Sequence, residues 1–272
     1  MDNVTDGYVL NRTSAETARL QVQADMFVPH SAHLFRLAGI TPGMRVLDLG
    51  SGAGDVSMLI ADLVGPTGSV LGVDIDPGVV EVARERAAAA GLTNVSFLNT
   101  DVADLRLDEP VDALVGRLIL MHLDEPAAVV RTLSGLVRPG GVVTFQDGNI
   151  TRCRTVPSTP LMTKTLDWIN DAIRAGGRNP EFGDQVPVVL RDAGLTVAGV
   201  ATAGPAGAAD SVMPDYVAES ARSFLPVILA HGLATESEVD IDTLADRLAR
   251  EMKEAGSTFW SPELVGAWAR KS

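Results

Sequence analysis

The stretch Val46-Leu47-Asp48-Leu49-Gly50-Ser51-Gly52-Ala53-Gly54-Asp55 runs a short apolar segment into three alternating glycines, and an Ala/Leu/Val-rich segment follows. It reads as a buried strand turning sharply into a helix. Glycine lets the backbone adopt positive φ and lets a ligand approach closely, while the first turn of the helix offers N–H groups with no partner. Such a loop is suited to holding a ligand.

Outward from this loop, residues 41–150 alternate short Val/Leu runs with Ala-rich helical stretches, the pattern of βαβ units around a parallel sheet. Strands are expected at 45–49, 69–73, 95–99, 113–116 and 141–146, and helices at 55–64, 78–90 and 126–136. Residues 1–40 read as a helical lid. After Asn149 the alternation stops, and a Thr/Pro-rich stretch leads into a helix over 161–175. The expected organisation is a lid (1–40), a core (41–150), a helical cap insertion (151–178), the rest of the core (179–213, with a helix at 180–193 and a strand at 195–203), a second helical cap (214–256) and a closing strand (257–272). A length of 272 residues suits one α/β core with an added helical subdomain.

The ligand of the loop is first a question of charge. A dinucleotide fingerprint wants Gly or Ala at the position of Asp55, where a pyrophosphate sits on the helix N–H groups. A carboxylate there suits the helix dipole but repels phosphate. S-adenosylmethionine is phosphate-free and carries net positive charge, so Asp48 and Asp55 are compatible with it. The second strand ends in Val73-Asp74-Ile75-Asp76-Pro77. A carboxylate at this place can accept from both ribose hydroxyls in either class of enzyme, and Asp76 before Pro77 reads as a helix cap. The third strand ends in Asn99-Thr100-Asp101-Val102, where Asp101 is suited to the adenine amino group or to an ordinary turn, and Val102 to covering the ring.

These residues together resemble the class I S-adenosylmethionine-dependent methyltransferases, in the small-molecule branch that includes the ubiquinone/menaquinone-type enzymes. The resemblance rests on residues 46–54, on Gly72-Val73-Asp74, on Asp101, on Val111-Asp112-Ala113-Leu114-Val115-Gly116 and on Leu136-Val137-Arg138-Pro139-Gly140-Gly141. It implies a Rossmann-like α/β fold: a seven-stranded, mostly parallel sheet in the order 3-2-1-4-5-7-6 with strand seven antiparallel and helices on both faces. It also implies S-adenosylmethionine as cofactor, S-adenosylhomocysteine as product, and a cofactor site made from Asp48, Gly50, Ser51, Gly52, Gly54, Asp74, Ile75, Asp101 and Val102. Arg117 to His122 would line the methyl-donor side, with His122 as candidate catalytic base or cofactor contact. Tyr8, Arg19 and Gln23 match the amino-terminal segment that closes over the methionine part.

Methyl transfer needs alignment and exclusion of water more than acid–base chemistry, so a base is optional. Met26, His30, Asp147 and Trp168 are candidates for the acceptor pocket, although apolar residues at helical spacing more often serve packing. No metal is expected: His30 and His33 lack a placed carboxylate, and Gly116-Arg117 stands where metal-dependent catechol-type enzymes carry an Asp.

A net charge of −13 without a basic stripe argues against nucleic acid. No apolar run reaches bilayer length, the amino terminus lacks the basic residues of a signal peptide, and the single cysteine, Cys153, excludes an internal disulfide, so a cytoplasmic monomer or homodimer is expected. Methylation of an oxygen or carbon of a small molecule, in secondary metabolism, is expected. The alternatives are a methyltransferase-fold enzyme using S-adenosylmethionine for another reaction, an NAD-dependent oxidoreductase, and a non-catalytic binding domain.

Overall fold

A computed structural model of the chain describes residues 14–272, with side chains described from Met26 onward. The βαβ alternation read from the sequence becomes β1 (Arg45–Leu49), α2 (Asp55–Val64), β2 (Ser69–Asp74), α3 (Pro77–Ala89), β3 (Val95–Asn99), β4 (Val111–Arg117), α4 (Pro126–Ser134) and β5 (Val137–Asn149), preceded by α1 (Ser14–Ala38). The remaining elements are β6 (Arg154–Val156), α5 (Pro160–Ala175), α6 (Val186–Asp192), β7 (Val197–Ala203), β8 (Ala206–Gly207), α7 (Met213–Ala230), α8 (Glu236–Val239), α9 (Leu244–Ala255), β9 (Thr258–Trp260) and β10 (Glu263–Arg270).

Seven strands form the main sheet in the order β3-β2-β1-β4-β5-β10-β7, with β10 antiparallel to both neighbours. Counted within that sheet, the order is 3-2-1-4-5-7-6. Both faces are covered, which is why its central strands are apolar almost throughout. On one face, Leu47, Leu49, Leu114, Val143 and Phe145 pack with Val130 and Leu133 of α4 and Val189 and Leu190 of α6. On the other, Val46, Ala113, Val115 and Val142 pack with Val56, Ile60 and Val64 of α2 and Phe35 of α1. Odd and even residues of β1 thus divide between the faces, as a period of two requires, and Asp48 falls on the α2 side.

The chain forms two compact units. Residues 28–149, 181–204 and 262–272 make the first; the described residues up to 27, with 150–180 and 205–261, make the second. In the second unit Met162, Trp168 and Ile169 of α5, Val217 and Ala221 of α7, Leu248 and Met252 of α9, and Phe259 of β9 share one core. β9 pairs with β6 and β8 in a three-stranded sheet.

That small sheet differs from the expected organisation. The core segment expected to run to 213 ends at Gly204, and residues 257–261, expected with the closing strand, lie in the second unit. Strands of two or three residues are too short to show alternation, so pairing alone defines them. The helix expected at 180–193 is split into a 3₁₀ turn at Phe182–Gln185 and α6. Pro187 falls in the first turn of α6, where its missing N–H costs nothing.

Candidate cofactor site and active site

The glycine loop leaves β1 with φ of +66° at Gly50, +51° at Gly52 and +88° at Gly54. The three glycines serve different ends. A Cβ on Gly50 would lie 2.5 Å from Ile119 Cδ1, and one on Gly54 would lie 2.9 Å from Phe97 Cζ. A Cβ on Gly52 would meet none of the described residues within 4 Å. Two of the glycines therefore admit protein neighbours, and the middle one borders open space. Ser51 donates its N–H to the Val73 carbonyl at 3.0 Å, and its buried Oγ has no hydrogen-bond partner among the described residues.

At the end of β2, Asp74 accepts the Gly52 N–H on Oδ2 at 2.9 Å and the Asp76 N–H on Oδ1 at 3.0 Å. It fastens the loop, and its carboxylate retains lone pairs for a pair of hydroxyls. Asp76 caps α3 by accepting from Gly78 and Val79 N–H groups. Ile75 is 70% exposed, an apolar side chain held out beside Asp74. Asp101 is exposed and accepts the Ala103 N–H at 2.9 Å, the turn arrangement that competes with a ligand role. Val102 is half-buried against the main core.

The charges around the loop are more balanced than the sequence reading assumed. Asp55 forms an ion pair with Arg86 at 2.7 Å, and Arg86 also donates to the Ala53 carbonyl at 2.6 Å. Asp48 is buried and accepts from Ser57 Oγ at 2.6 Å; burial pushes its carboxyl up to about 7. Arg117, its pKa lowered by burial and supported by Asp55 and Asp48, donates to Ser31 Oγ at 3.1 Å. Asp48 and Asp55, expected from the sequence as acidic neighbours compatible with a cationic ligand, are thus engaged within the protein: Asp55 pairs with Arg86, and Asp48 is buried against Ser57 with its carboxyl raised. Asp74 is left as the carboxylate beside the open face of the loop.

After β4 the chain turns through Leu118, whose φ of +54° is unusual for a residue with a Cβ. A 3₁₀ turn, Leu120–His122, follows and carries the half-buried His122. Ile119 fills the space left by both Gly50 and Gly116, whose added Cβ atoms would lie 2.5 and 3.0 Å from it. Asp147, expected at the acceptor pocket, is completely buried; it accepts the Met121 N–H at 3.2 Å and the Gly148 N–H at 3.0 Å. The sequence placed Leu118 and Ile119 within the segment lining the methyl-donor side but gave neither a role of its own, and it did not point to this use of Asp147. A glycine at position 116, where a sheet strand favours a branched residue, was the available signal.

The other pocket candidates fall apart by unit. Met26 and Trp168 lie in the second unit, where Trp168 is 5% exposed in the apolar core, so it packs rather than lines open space. His30 and Asp147 lie in the first. Burial and the nearby His33 lower the pKa of His30. Tyr8 lies outside the described residues, and Arg19 and Gln23 stand on α1 where only the backbone is described. Among the described residues no three His, Cys, Asp or Glu side chains are grouped to hold a metal, and no helix is long and apolar enough to cross a membrane.

Comparison with known proteins matches residues 40–179 to the methyltransferase domain family. An arsenite methyltransferase of Halobacterium salinarum is 38% identical over 111 residues, 40% of this chain and 28% of that protein. The ubiquinone/menaquinone biosynthesis C-methyltransferase UbiE of Ectopseudomonas mendocina is 32% identical over 136 residues, 48% of this chain and 50% of that protein. The chain thus spans half or less of the length of these relatives. The fold is also that of YcgJ from Bacillus subtilis, at 18% identity and a TM-score of 0.58, over 89% of this chain and 99% of that one. Sheet order, glycine loop and family match agree, and the chain belongs to the methyltransferase domain family, of the class I, S-adenosylmethionine-dependent type.

Proposed function

We propose that this chain binds S-adenosylmethionine at the glycine loop and transfers its methyl group to an oxygen or carbon of a small organic molecule. The observation that carries the reading is the open face over Gly52, in a loop held by the same Asp74 that keeps acceptor capacity for a ribose. The unpartnered, buried Ser51 Oγ adds a polar atom to that cradle. The names of the relatives, a C-methyltransferase and an arsenite methyltransferase, support a small acceptor.

Bound S-adenosylmethionine would supply a methyl group already activated on a sulfonium. The work left to the chain is to hold, orient and keep water out. Asp74 would hold the ribose, Ile75 and Val102 would cover the adenine, and Asp101 would exchange its turn hydrogen bond for the adenine amino group. Arg117 and His122 would border the methyl-donor side. His122 and His30 are the candidates for taking a proton from an acceptor hydroxyl; the lowered pKa of His30 keeps its imidazole neutral and able to accept at neutral pH. With −13 net charge, an acceptor of the nucleic-acid class is disfavoured.

Calorimetric titration with S-adenosylmethionine, S-adenosylhomocysteine and NADH tests the cofactor. Binding of both sulfur nucleosides and none of NADH is expected. Binding of NADH alone would overturn the reading. A methyl-acceptor screen read by mass, seeking one added methyl on a phenol, an enol or an arsenical, then assigns the acceptor atom.

A further inference from the structure

Two successive residues at the end of β5 hold the segment that follows β4. The Gln146 carbonyl accepts the Leu118 N–H at 2.8 Å, and the Asp147 carboxylate accepts the Met121 N–H at 3.2 Å, with the Leu120 N–H also directed to it. Between these attachments lies Leu118 in its left-handed conformation, and next to it Ile119, seated where Gly50 and Gly116 lack side chains. We propose that Asp147 is a positioning residue: its carboxylate pins the Leu120–His122 turn to β5 and thereby seats Ile119 against Gly50, giving the glycine loop its shape. Its bearing on catalysis rests on the function proposed above; the mechanical claim does not.

The chemistry of the group supports a carboxylate in this role. N–H donors from Gly148, Met121 and Leu120 converge on two oxygens with no solvent access. Only an acceptor on both sides satisfies them. An amide would turn an N–H₂ toward a buried N–H, and a protonated carboxyl would do the same with an O–H. Burial nevertheless pushes the Asp147 carboxyl up to about 7, so opening of the turn, which lets water reach the group, becomes easier as pH rises through that range. The ionisable groups on the elements packed around it are Arg117 at the end of β4, His122 in the turn, Asp184 in the 3₁₀ turn hydrogen-bonded to Asn149, and Glu263 opposite Asn149 on β10, with Asp112 and Arg270 at the far ends of β4 and β10. None appears among the causes of its shift, which are burial and the backbone N–H groups.

The test is hydrogen exchange by mass spectrometry on the full chain without ligand, for wild type, Asp147→Asn and Ile119→Ala. In Asp147→Asn, exchange in 118–123 and in 50–54 should rise about tenfold, the loss of one hydrogen bond to a charged group. Exchange in α5 should not change. In Ile119→Ala, 50–54 should loosen while Met121 stays protected. Wild-type protection of 118–123, corrected for intrinsic rates, should fall as pH rises from 6 to 8, because opening the turn lets the Asp147 carboxyl ionise in water. Unchanged exchange in 118–123, or a uniform rise across the chain, would overturn the proposal. If Asp147→Asn does not fold, the wild-type pH series and Ile119→Ala decide it alone. A weaker S-adenosylhomocysteine complex in both variants would extend the effect to the cofactor; failure of wild type to bind it would count against the function and leave the exchange result standing.

Discussion

Gly50 and Gly52 lie two residues apart with similar positive φ, yet alanine at each should fail for a different reason. At either site an added Cβ costs roughly 1–2 kcal/mol for the left-handed conformation. At Gly50 the new methyl would stand 2.5 Å from both Ile119 Cδ1 and Cγ1. Overpacking of that kind adds about 1–3 kcal/mol, for a total of about 2–5 kcal/mol. At Gly52 no atom of the described residues lies within 4 Å, so folding loses only the conformational part. Urea denaturation of Gly50→Ala, Gly52→Ala, Ile119→Ala and the Gly50→Ala/Ile119→Ala pair separates the two effects. The double variant should recover about 1–3 kcal/mol relative to the sum of the single changes, because the small side chain at 119 removes the clash. Calorimetry should show the reverse ranking for the cofactor: Gly52→Ala, the more stable of the two variants, should lose S-adenosylhomocysteine binding, because its methyl enters the open face. Equal stability losses at the two glycines, with additive behaviour of the pair, would refute the assignment of Ile119 to Gly50. Undiminished binding by Gly52→Ala would refute the cradle.

Three further outcomes can be checked. Asp74→Ala removes two acceptors for backbone N–H groups and the proposed ribose contact; its affinity for S-adenosylhomocysteine should fall by about 1.5–3 kcal/mol, read by calorimetry. Burial raises the Asp48 carboxyl from 3.8 to about 7, so the folded chain holds a proton that the unfolded chain releases between those values. The stability tied to that proton is fully present below about pH 4 and is lost as pH rises through about 7. From pH 5 to pH 8 the stability of Asp48→Asn should therefore improve relative to wild type, and a relative decline would contradict the sign. Glu251, on α9, accepts the Leu161 and Met162 N–H groups at the start of α5, whose own cap residue Thr159 makes no side-chain cap. Glu251→Ala should lower stability by about 0.5–2 kcal/mol in urea denaturation, as loss of a helix cap does.

Much of the core was legible because its signals are local. β1, α2 and β3 occupy the residues expected from the apolar runs and the glycine turn, since strand and helix periods are written into adjacent residues. The sheet order followed from family resemblance, since periodicity says where strands are and not which ones pair. Asp76 is the helix cap its place before Pro77 suggested. The charge beside the loop was only half legible in Asp48 and Asp55. Their position beside the loop was plain, but the Arg86 partner and the burial of Asp48 come from elements distant in sequence.

By itself the sequence determined a glycine loop between strand and helix, carboxylates at the strand ends, and an α/β core interrupted by helical segments. Only the tertiary structure decided that Gly50 makes room for Ile119 while Gly52 opens outward, that Asp147 is fully buried under a backbone turn, and that Ala206 and Gly207 pair away from the main sheet. The physical reason is range. Backbone propensity and periodicity act over a few residues, whereas burial, ion pairing and steric fit depend on which distant segments the sheet brings side by side.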